Sequence, residues 1–151
     1  MTPRALLLAA LVLAAASPAA AAADPETARV LEAQGLMGRW AADCAAPPSD
    51  ENGWETIAVD PADGEVRTRE DHAGWESVYR VVSARAIDAR DTAMDVIWET
   101  DDSPLSVVYR IEDGRQTTWS SARPDGEVLI RDGRYVSTGE PISWLNRCPA
   151  G

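Results

Sequence analysis

The sequence predicts an all-β domain, a small antiparallel up-and-down barrel of about eight or nine strands that follows one short helix. Beyond residue 38, short runs rich in β-branched and aromatic residues are separated by Gly, Pro and Asp, as in a meander of strands. No segment there has the helical periodicity that a βαβ unit requires, which favours antiparallel pairing. Asp-Gly, a hairpin-turn dipeptide, recurs at 63–64, 113–114, 125–126 and 132–133.

Residues 1–23 are typical of an export signal rather than of the folded domain. Arg4 precedes an apolar run from Ala5 to Ala16, and the Ala-rich sequence that follows ends at Ala23 in a cleavable pattern. No later stretch approaches the roughly 20 apolar residues of a membrane helix. We therefore expect a soluble periplasmic or secreted protein with no membrane span, built from a helix within residues 24–37 and a barrel domain over residues 38–151.

The predicted elements follow in order along the chain. Good helix formers run from Pro25 to Gln34, with acidic Glu26 in the first turn and Gly35 as the stop. Two prolines exclude the segment 45–50 from a central strand. The candidate strands are 38–43, 54–59, 65–70, 75–83, 92–99, 105–112, 115–122, 127–131, 134–138 and 142–145.

The turn at 113–114 predicts how the late strands face. A three-residue loop places Val107 opposite Trp119, whereas a two-residue loop turns this indole away from the apolar face. Burial of the indole favours the three-residue loop. The same loop geometry at 125–126 pairs Trp119 with Arg131. The interior face is then expected to carry Leu105, Val107, Tyr109, Thr117, Trp119, Ser121, Leu129, Arg131 and Tyr135.

Closure of the sheet is expected because consecutive up-and-down strands otherwise leave two unpaired edges. A closed barrel removes both edges. A sandwich of two meander sheets is the alternative architecture.

The chain has two cysteines, Cys44 and Cys148, which lie near the two ends of the predicted barrel domain. In an oxidising compartment they form the only possible disulfide pair. In the chain-entropy description, a cross-link that closes a loop of about 100 residues stabilises the fold by roughly 4–5 kcal/mol. We therefore expect a structural disulfide rather than a redox pair, which would require close spacing and a lowered pKa.

The triplet Gly38-Arg39-Trp40, after a short helix and at the start of the first strand, resembles the Gly-x-Trp start of lipocalin-type and avidin-type barrels. In lipocalins an Arg from a late strand packs over that Trp, a role this resemblance assigns to Arg131 or Arg134. The wider pattern Gly-Arg-Trp-x-x-Asp-Cys-x-x-Pro-Pro-Ser-x-x-Asn from residue 38 is similar to small uncharacterised exported proteins of alphaproteobacteria. This second resemblance implies a shared fold and no particular activity.

Charge excludes one class of function and suggests another. The formal net charge is −11, and all 14 basic residues are Arg. A protein of this charge is not expected to bind nucleic acid, since phosphate neutralisation requires a basic face. Residues 24–102 hold 19 acids and 7 Arg, whereas residues 103–151 hold 6 of each. One side of the fold is therefore expected to be acidic and able to dock a basic protein partner.

Catalytic and metal-binding residues are not predicted. His72 is the sole imidazole, it lies in a polar loop sequence, and no Gly-x-Ser-x-Gly elbow accompanies it. Two acidic loops, at 60–65 and 99–102, hold oxygen ligands of the kind that bind Ca²⁺, but neither has the spacing of the twelve-residue calcium loop. We interpret them as solvated turns. We expect no metal and no cofactor, and an enzyme is the least favoured interpretation.

The aromatic residues of the interior face suggest a binding site. Trp98, Tyr109, Trp119 and Tyr135, together with Arg131, are expected to line a cavity for an apolar or amphiphilic molecule with an anionic head. In the alternative the same side chains fill the core, with the Arg stacked on an indole. The first arrangement predicts an exported binding module. The second predicts an envelope accessory protein or inhibitor that uses the acidic face. The oligomeric state stays open.

Overall fold

The computed structural model describes residues 25–150, and the expected export signal at residues 1–23 lies outside the described residues. The described part of the chain contains one helix, α1 (Pro25–Ala33), followed by ten strands. The strands are β1 (Gly38–Ala41), β2 (Trp54–Val59), β3 (Val66–His72), β4 (Trp75–Ala86), β5 (Asp91–Trp98), β6 (Ser103–Glu112), β7 (Arg115–Ala122), β8 (Val128–Arg131), β9 (Arg134–Tyr135) and β10 (Leu145–Arg147).

The helix α1 begins at the proline and ends where the sequence predicts. Gly35 adopts a left-handed conformation with φ of 73°. Its N–H bonds to the Glu32 carbonyl, and the Leu36 N–H bonds to the Leu31 carbonyl, each at 2.9 Å. This pair of bonds is the Schellman arrangement, which satisfies the last carbonyls of a helix. Over residues 25–150 no helix is long and apolar enough to cross a membrane.

The strands form a closed antiparallel barrel, which confirms the predicted fold class. Each strand from β1 to β9 pairs with the next one in sequence. Closure comes from β10, which pairs with β1 on one side and with β7 on the other. The closed barrel therefore comprises β1–β7 and β10, while β8 and β9 extend from β7. A sandwich of two separate sheets does not form.

The core lies inside the barrel and continues onto α1. Leu31 and Leu36 are fully buried, so the helix and the turn after it pack against the interior. The other buried members of this cluster are Ile57, Val66, Val81, Met94, Val96, Val107 and Tyr109. Because they come from β2 to β6, a single apolar interior holds the helix and most of the barrel together.

The loop at 113–114 differs from its prediction. Asp113 and Gly114 both have positive φ, 51° and 73°, and Glu112 pairs with Arg115. This is a two-residue loop of type I′. The expected three-residue loop is therefore wrong, and so is the expected pairing of Val107 with Trp119. A β-bulge at the indole-bearing residue shifts the register.

The indole of Trp119 stays covered although it leaves the interior, which explains why burial misled the prediction. The Arg110 guanidinium lies 3.6 Å from the centre of its ring. A Cβ on Gly133, in the β8–β9 turn, would lie 3.3 Å from the same ring. A cation over one face and a hairpin at the edge shield the indole on the outer surface.

The interior of β7 changes accordingly. Gln116 is fully buried, and Thr118 lines a cavity together with Tyr109. The interior position predicted for Trp119 is therefore wrong. Thr117 is buried as predicted, at 3% exposed, and its hydroxyl donates to the Ser143 carbonyl at 3.1 Å. In β8 the same correction applies: Arg131 is exposed, not interior. The isoleucine before it, at residue 130, lines the interior and pairs with Ser121.

The disulfide is present as predicted. Cys44 follows β1 and Cys148 follows β10, with an S–S distance of 1.99 Å and a Cα–Cα distance of 5.4 Å. The bond spans a sequence separation of 104 residues. It fastens the two segments that lead out of the neighbouring strands β1 and β10, and so reinforces the seam at which the barrel closes.

The Trp of the Gly-x-Trp triplet is buried beneath an arginine, but not the one expected. Trp40 is 2% exposed and donates its indole N–H to the Leu36 carbonyl at 2.9 Å. The guanidinium over its ring, at 5.6 Å, is that of Arg147 in β10. The assignment of this role to Arg131 or Arg134 is therefore wrong, because β8 and β9 lie outside the closed part of the barrel.

Candidate functional site

Two glutamates face each other inside the barrel. Glu55 of β2 and Glu70 of β3 are cross-strand partners, which places their Cβ atoms about 5 Å apart. Glu55 is only 6% exposed, and Glu70 is partly buried. Each glutamate points to the same side of its strand as a buried apolar residue, Ile57 on β2 and Val66 on β3. Carboxyl groups in such positions are uncommon, because burial of a charge is costly.

Hydrogen bonds fix the Glu55 carboxyl group. The hydroxyl of Tyr109 donates to Oε2 at 3.1 Å, and the side-chain amide of Gln116 donates to Oε1 at 2.5 Å. Both donors are buried. Since β6 and β7 supply these donors, the carboxyl group of β2 is held from the opposite side of the barrel.

The two acids hold a proton at neutral pH. Burial, together with the negative charge of Glu70, raises the pKa of Glu55 from its ordinary value of 4.5 to about 8, against the smaller opposing effect of the two hydrogen bonds. Burial also raises the pKa of Glu70, and the charge of His72 partly opposes that change. Because two neighbouring carboxylates repel, the pair resists full ionisation until the solution is alkaline.

The imidazole of His72 lies beside the acids at the end of β3. It stacks on the Trp75 ring with centroids 3.9 Å apart and an angle of 11° between the planes. Gly53 makes room for it, since a Cβ there would lie 2.4 Å from His72 Cε1. The ring atom Nδ1 is buried and has no hydrogen-bond partner within residues 25–150. A glycine is thus required for this ring to enter the site.

These groups line a cavity of about 350 Å³, hereafter the interior cavity, which is partly open to solvent. Four acids and four aromatic rings contribute to its lining, and none of the arginines in the described chain does so. The acids are Asp50, Glu51, Glu55 and Glu70, and the aromatic residues are Trp54, Trp75, Tyr109 and Tyr135. A smaller cavity of about 90 Å³ shares Glu70, Tyr109, Thr118 and Ile130 with it.

Three residues of this lining carry buried polar atoms with no hydrogen-bond partner in the described part of the chain. The atoms are Trp54 Nε1, His72 Nδ1 and Gln116 Oε1. Buried polar atoms are nearly always satisfied in native proteins, by protein groups, water or a ligand. Three side chains with such an unpartnered atom border this one cavity.

The structure brings together two of the five binding residues predicted from the sequence. Tyr109 and Tyr135 line the interior cavity, but only Tyr109 is buried; Tyr135 is 47% exposed, so its predicted interior position is wrong. Trp98 lies elsewhere, stacked on Tyr79 with centroids 6.3 Å apart. Trp119 lies on the outer surface, and Arg131 borders a separate groove on the β5–β7 side. The expected interior position of the Arg, on which an anionic ligand head depended, is therefore wrong.

Sequence reasoning missed Glu55, Glu70, His72 and Gln116. A signal for the first two exists in the alternation of the strands, because each acid falls on the same parity as a buried aliphatic neighbour. The solvated-turn interpretation covers only the acidic loops at 60–65 and 99–102, and no prediction covers Glu55 or Glu70. No local signal identifies Gln116, because its role depends on β7 facing β2 across the barrel.

The acidic loops at 60–65 and 99–102 do converge, but around an arginine. Arg67 contacts Asp63 and Glu99 at 2.8 Å, Glu65 at 3.3 Å and Asp60 at 3.4 Å. The hydrogen bonds from this guanidinium lower the pKa of Asp63 to about 2. The cation of this cluster is supplied by the chain itself. The described residues contain no group of three or more His, Cys, Asp and Glu side chains suited to a metal ion.

Comparison with known proteins adds no assignment: no family model, curated protein or solved structure matches the chain.

Proposed function

We propose that the protein is an exported binding module that holds one small organic molecule in the interior cavity of its barrel. The observation that carries this proposal is a cavity of about 350 Å³ whose lining includes four aromatic side chains and three side chains with an unpartnered buried polar atom. Small-molecule sites typically occupy about 300–1,000 Å³ and combine apolar walls with a few placed polar groups.

The interior favours a binding module over a protein with a filled core. Side chains contact one another across the barrel at Glu55, but Thr118 and Tyr135 border open volume that a filled core would not leave. The acidic face that a docking protein would use is also partly neutralised. Arg67 and Arg69 contact five of its acids between them, and paired charges attract a basic partner less.

A charge-neutral dye, N-phenyl-1-naphthylamine, tests this proposal directly. The dye fluoresces when it enters an apolar site, and Trp54 and Trp75 of the cavity lining can transfer excitation energy to it. We expect saturable binding of one dye per protein. Thr118→Phe places a ring in the interior and is expected to weaken binding at least tenfold. The matched control, Thr138→Phe on an exposed loop, is expected to bind like the parent protein.

Native mass spectrometry of protein exported by its own cells supplies the second measurement. An added small mass that disappears on denaturation supports the proposal. If the dye fails to saturate, or if it binds the Thr118→Phe protein as well as the parent, the interior cavity is not a binding site. Urea unfolding of both variants establishes that each is folded before its affinity is compared.

A further inference from the structure

We infer that the ligand of the interior cavity is an organic cation, a primary amine with an aromatic or apolar body, which binds by displacing a proton from the Glu55–Glu70 pair. This inference rests on the proposed function and narrows it to a chemical class of ligand. It depends on the two opposed acids, on a fully buried acceptor beside them, and on the distribution of charge around the cavity.

The charges of the lining favour a cation over any other ligand. The interior cavity is bordered by four acids and by one imidazole, and by no arginine of the described chain. An anionic ligand would therefore meet only repulsion, apart from that single imidazole. A neutral ligand would leave the acid pair with only the proton that it holds in the empty protein. A cation can compensate the pair, because opposite charges attract strongly at a buried position such as that of Glu55.

The acceptor count matches an ammonium group. A primary ammonium donates three hydrogen bonds. Glu55 and Glu70 supply carboxylate oxygens from adjacent strands, and Gln116 Oε1 supplies an amide oxygen from β7. Gln116 is 0% exposed and this oxygen has no partner within residues 25–150, so the third acceptor is in place before a ligand arrives.

The remaining lining suits an aromatic or apolar body. Trp54, Trp75 and Tyr135 come from three different strands and border the same cavity. Their rings can pack on an apolar body and can also attract a cation through their faces. A volume of about 350 Å³ accommodates a small arylalkylamine, whereas a bare metal ion would leave most of this space empty.

Charge balance requires a proton to leave when the amine enters. The raised pKa of Glu55 implies that the acid pair holds a proton at neutral pH. When the ammonium binds, that proton passes to solvent, so one positive charge replaces another and no covalent bond of the ligand changes. Other titratable groups near the pair are His72 on β3, Tyr79 on β4, Tyr109 on β6 and Tyr135 on β9.

Competition between the amine and the proton sets the pH dependence. Below a pKa of about 8 the apparent affinity is expected to fall about tenfold for each unit of decreasing pH. An arylalkylamine is fully protonated in this range, so the change in affinity reflects protonation of the acid pair and not of the ligand. Binding of a neutral ligand is expected to be insensitive to pH over the same interval.

Isothermal titration calorimetry with three probes of equal size tests the inference. The probes are 2-phenylethylamine, neutral 2-phenylethanol and anionic phenylacetate. We expect the amine to bind at least tenfold more tightly than the alcohol at pH 7.5, and phenylacetate not to bind. Titrations in phosphate and in Tris, whose ionisation enthalpies differ, are expected to show release of about one proton per amine bound at pH 7 and none with the alcohol.

Two variants and one control locate the effect. Glu55→Gln keeps the size of the side chain, and we expect it to abolish proton release and weaken the amine at least tenfold while leaving the alcohol unchanged. Glu70→Gln is expected to act in the same direction. The control Glu32→Gln lies on the exposed face of α1 and is expected to match the parent protein.

The outcomes separate this inference from the proposed function. If the alcohol or the dye binds but the amine has no advantage, or binds without releasing a proton, the inference is wrong and the binding module stands. If none of the probes binds, both are wrong. Should the Glu55→Gln protein fail to fold, the pH dependence of the parent protein and the Glu70→Gln comparison still decide the matter.

Discussion

The buried Glu55 carboxyl makes the stability of the fold depend on pH in a direction opposite to that of most acidic proteins. Its pKa is 4.5 in an ordinary setting and about 8 in the folded protein. Between these values the folded state holds a proton that the unfolded chain has lost. The contribution of this proton is fully present below pH 4.5 and is lost as the pH rises to about 8.

The size of the effect follows from the two pKa values. Each pKa unit corresponds to about 1.4 kcal/mol, so the interval from 4.5 to about 8 amounts to about 5 kcal/mol in the free energy of unfolding. Glu70, whose pKa is also raised, acts in the same direction. Asp63 acts in the opposite direction, but its pKa of about 2 places that change at much lower pH. A loss of several kcal/mol is large for a domain of this size.

The perturbation that isolates this effect is Glu55→Gln. The amide keeps the volume of the side chain and cannot ionise, so the variant is expected to lose most of the pH dependence. We expect the parent protein to lose about 3–5 kcal/mol between pH 5 and pH 9, while the variant changes by less than about 2 kcal/mol. Above pH 8 the variant is therefore expected to be the more stable of the two.

Urea unfolding, followed by tryptophan fluorescence at constant ionic strength with the disulfide intact, measures this difference. Curves at pH 5, 6, 7, 8 and 9 give the free energy of unfolding at each pH. Glu32→Gln, an exposed acid replaced in the same way, is expected to follow the parent protein throughout. A parent protein whose stability is flat between pH 5 and pH 8, or a Glu55→Gln protein that runs parallel to it, would refute the raised pKa.

Three further variants test the structure that surrounds the site. The double variant C44S/C148S opens a loop of 104 residues and is expected to lose about 4–5 kcal/mol, measured by urea unfolding against the oxidised parent. Gly53→Ala places a Cβ 2.4 Å from His72 Cε1, so we expect a loss of about 1–3 kcal/mol and weaker dye binding; an unchanged dye titration would contradict the assigned position of the imidazole. Arg110→Ala removes a guanidinium that bonds Asp91 at 2.6 and 2.7 Å, which leaves a buried carboxylate unpaired; we expect a loss of about 3 kcal/mol and a red shift in the fluorescence of the uncovered indole.

The fold could be predicted from the sequence because its signals are local and repeat. Alternating strands, turn residues and the lack of helical periodicity each indicate the same architecture, and two cysteines admit one pairing. The register could not be predicted in the same way. Asp-Gly is compatible with loops of two or three residues, and the choice depended on whether Trp119 needed the interior. Arg110, on the neighbouring strand β6, covers this indole on the outer surface, so the indole is shielded from solvent without entering the interior.

The site was less predictable than the fold because it places acids in the barrel interior, where apolar and aromatic residues are usually expected. The predicted interior holds aromatic residues and an arginine, and the only acids interpreted as solvated turns are those of the loops at 60–65 and 99–102. Alternation along β2 and β3 does place Glu55 and Glu70 inward, but a buried acid pair is seldom expected without a partner cation. The donors Tyr109 and Gln116 reach Glu55 only after the barrel closes through β10.

The acid pair lowers the stability of the free protein at neutral pH, although the same pair is what would bind a cationic ligand. At pH 7 the proton held by Glu55 costs the fold about 3 kcal/mol relative to its stability at pH 4.5. A glutamine or an aliphatic residue at the same position would avoid this cost. The disulfide at the closing seam contributes stabilisation of similar size, about 4–5 kcal/mol, and so allows the barrel to tolerate the pair.

If an amine occupies the interior cavity, its charge takes the place of the proton and its binding restores stability above neutral pH. The protein without ligand is then most stable at acidic pH, where Glu55 keeps its proton. Binding of the amine increases the free energy of unfolding most at mildly alkaline pH, where that proton is easily lost.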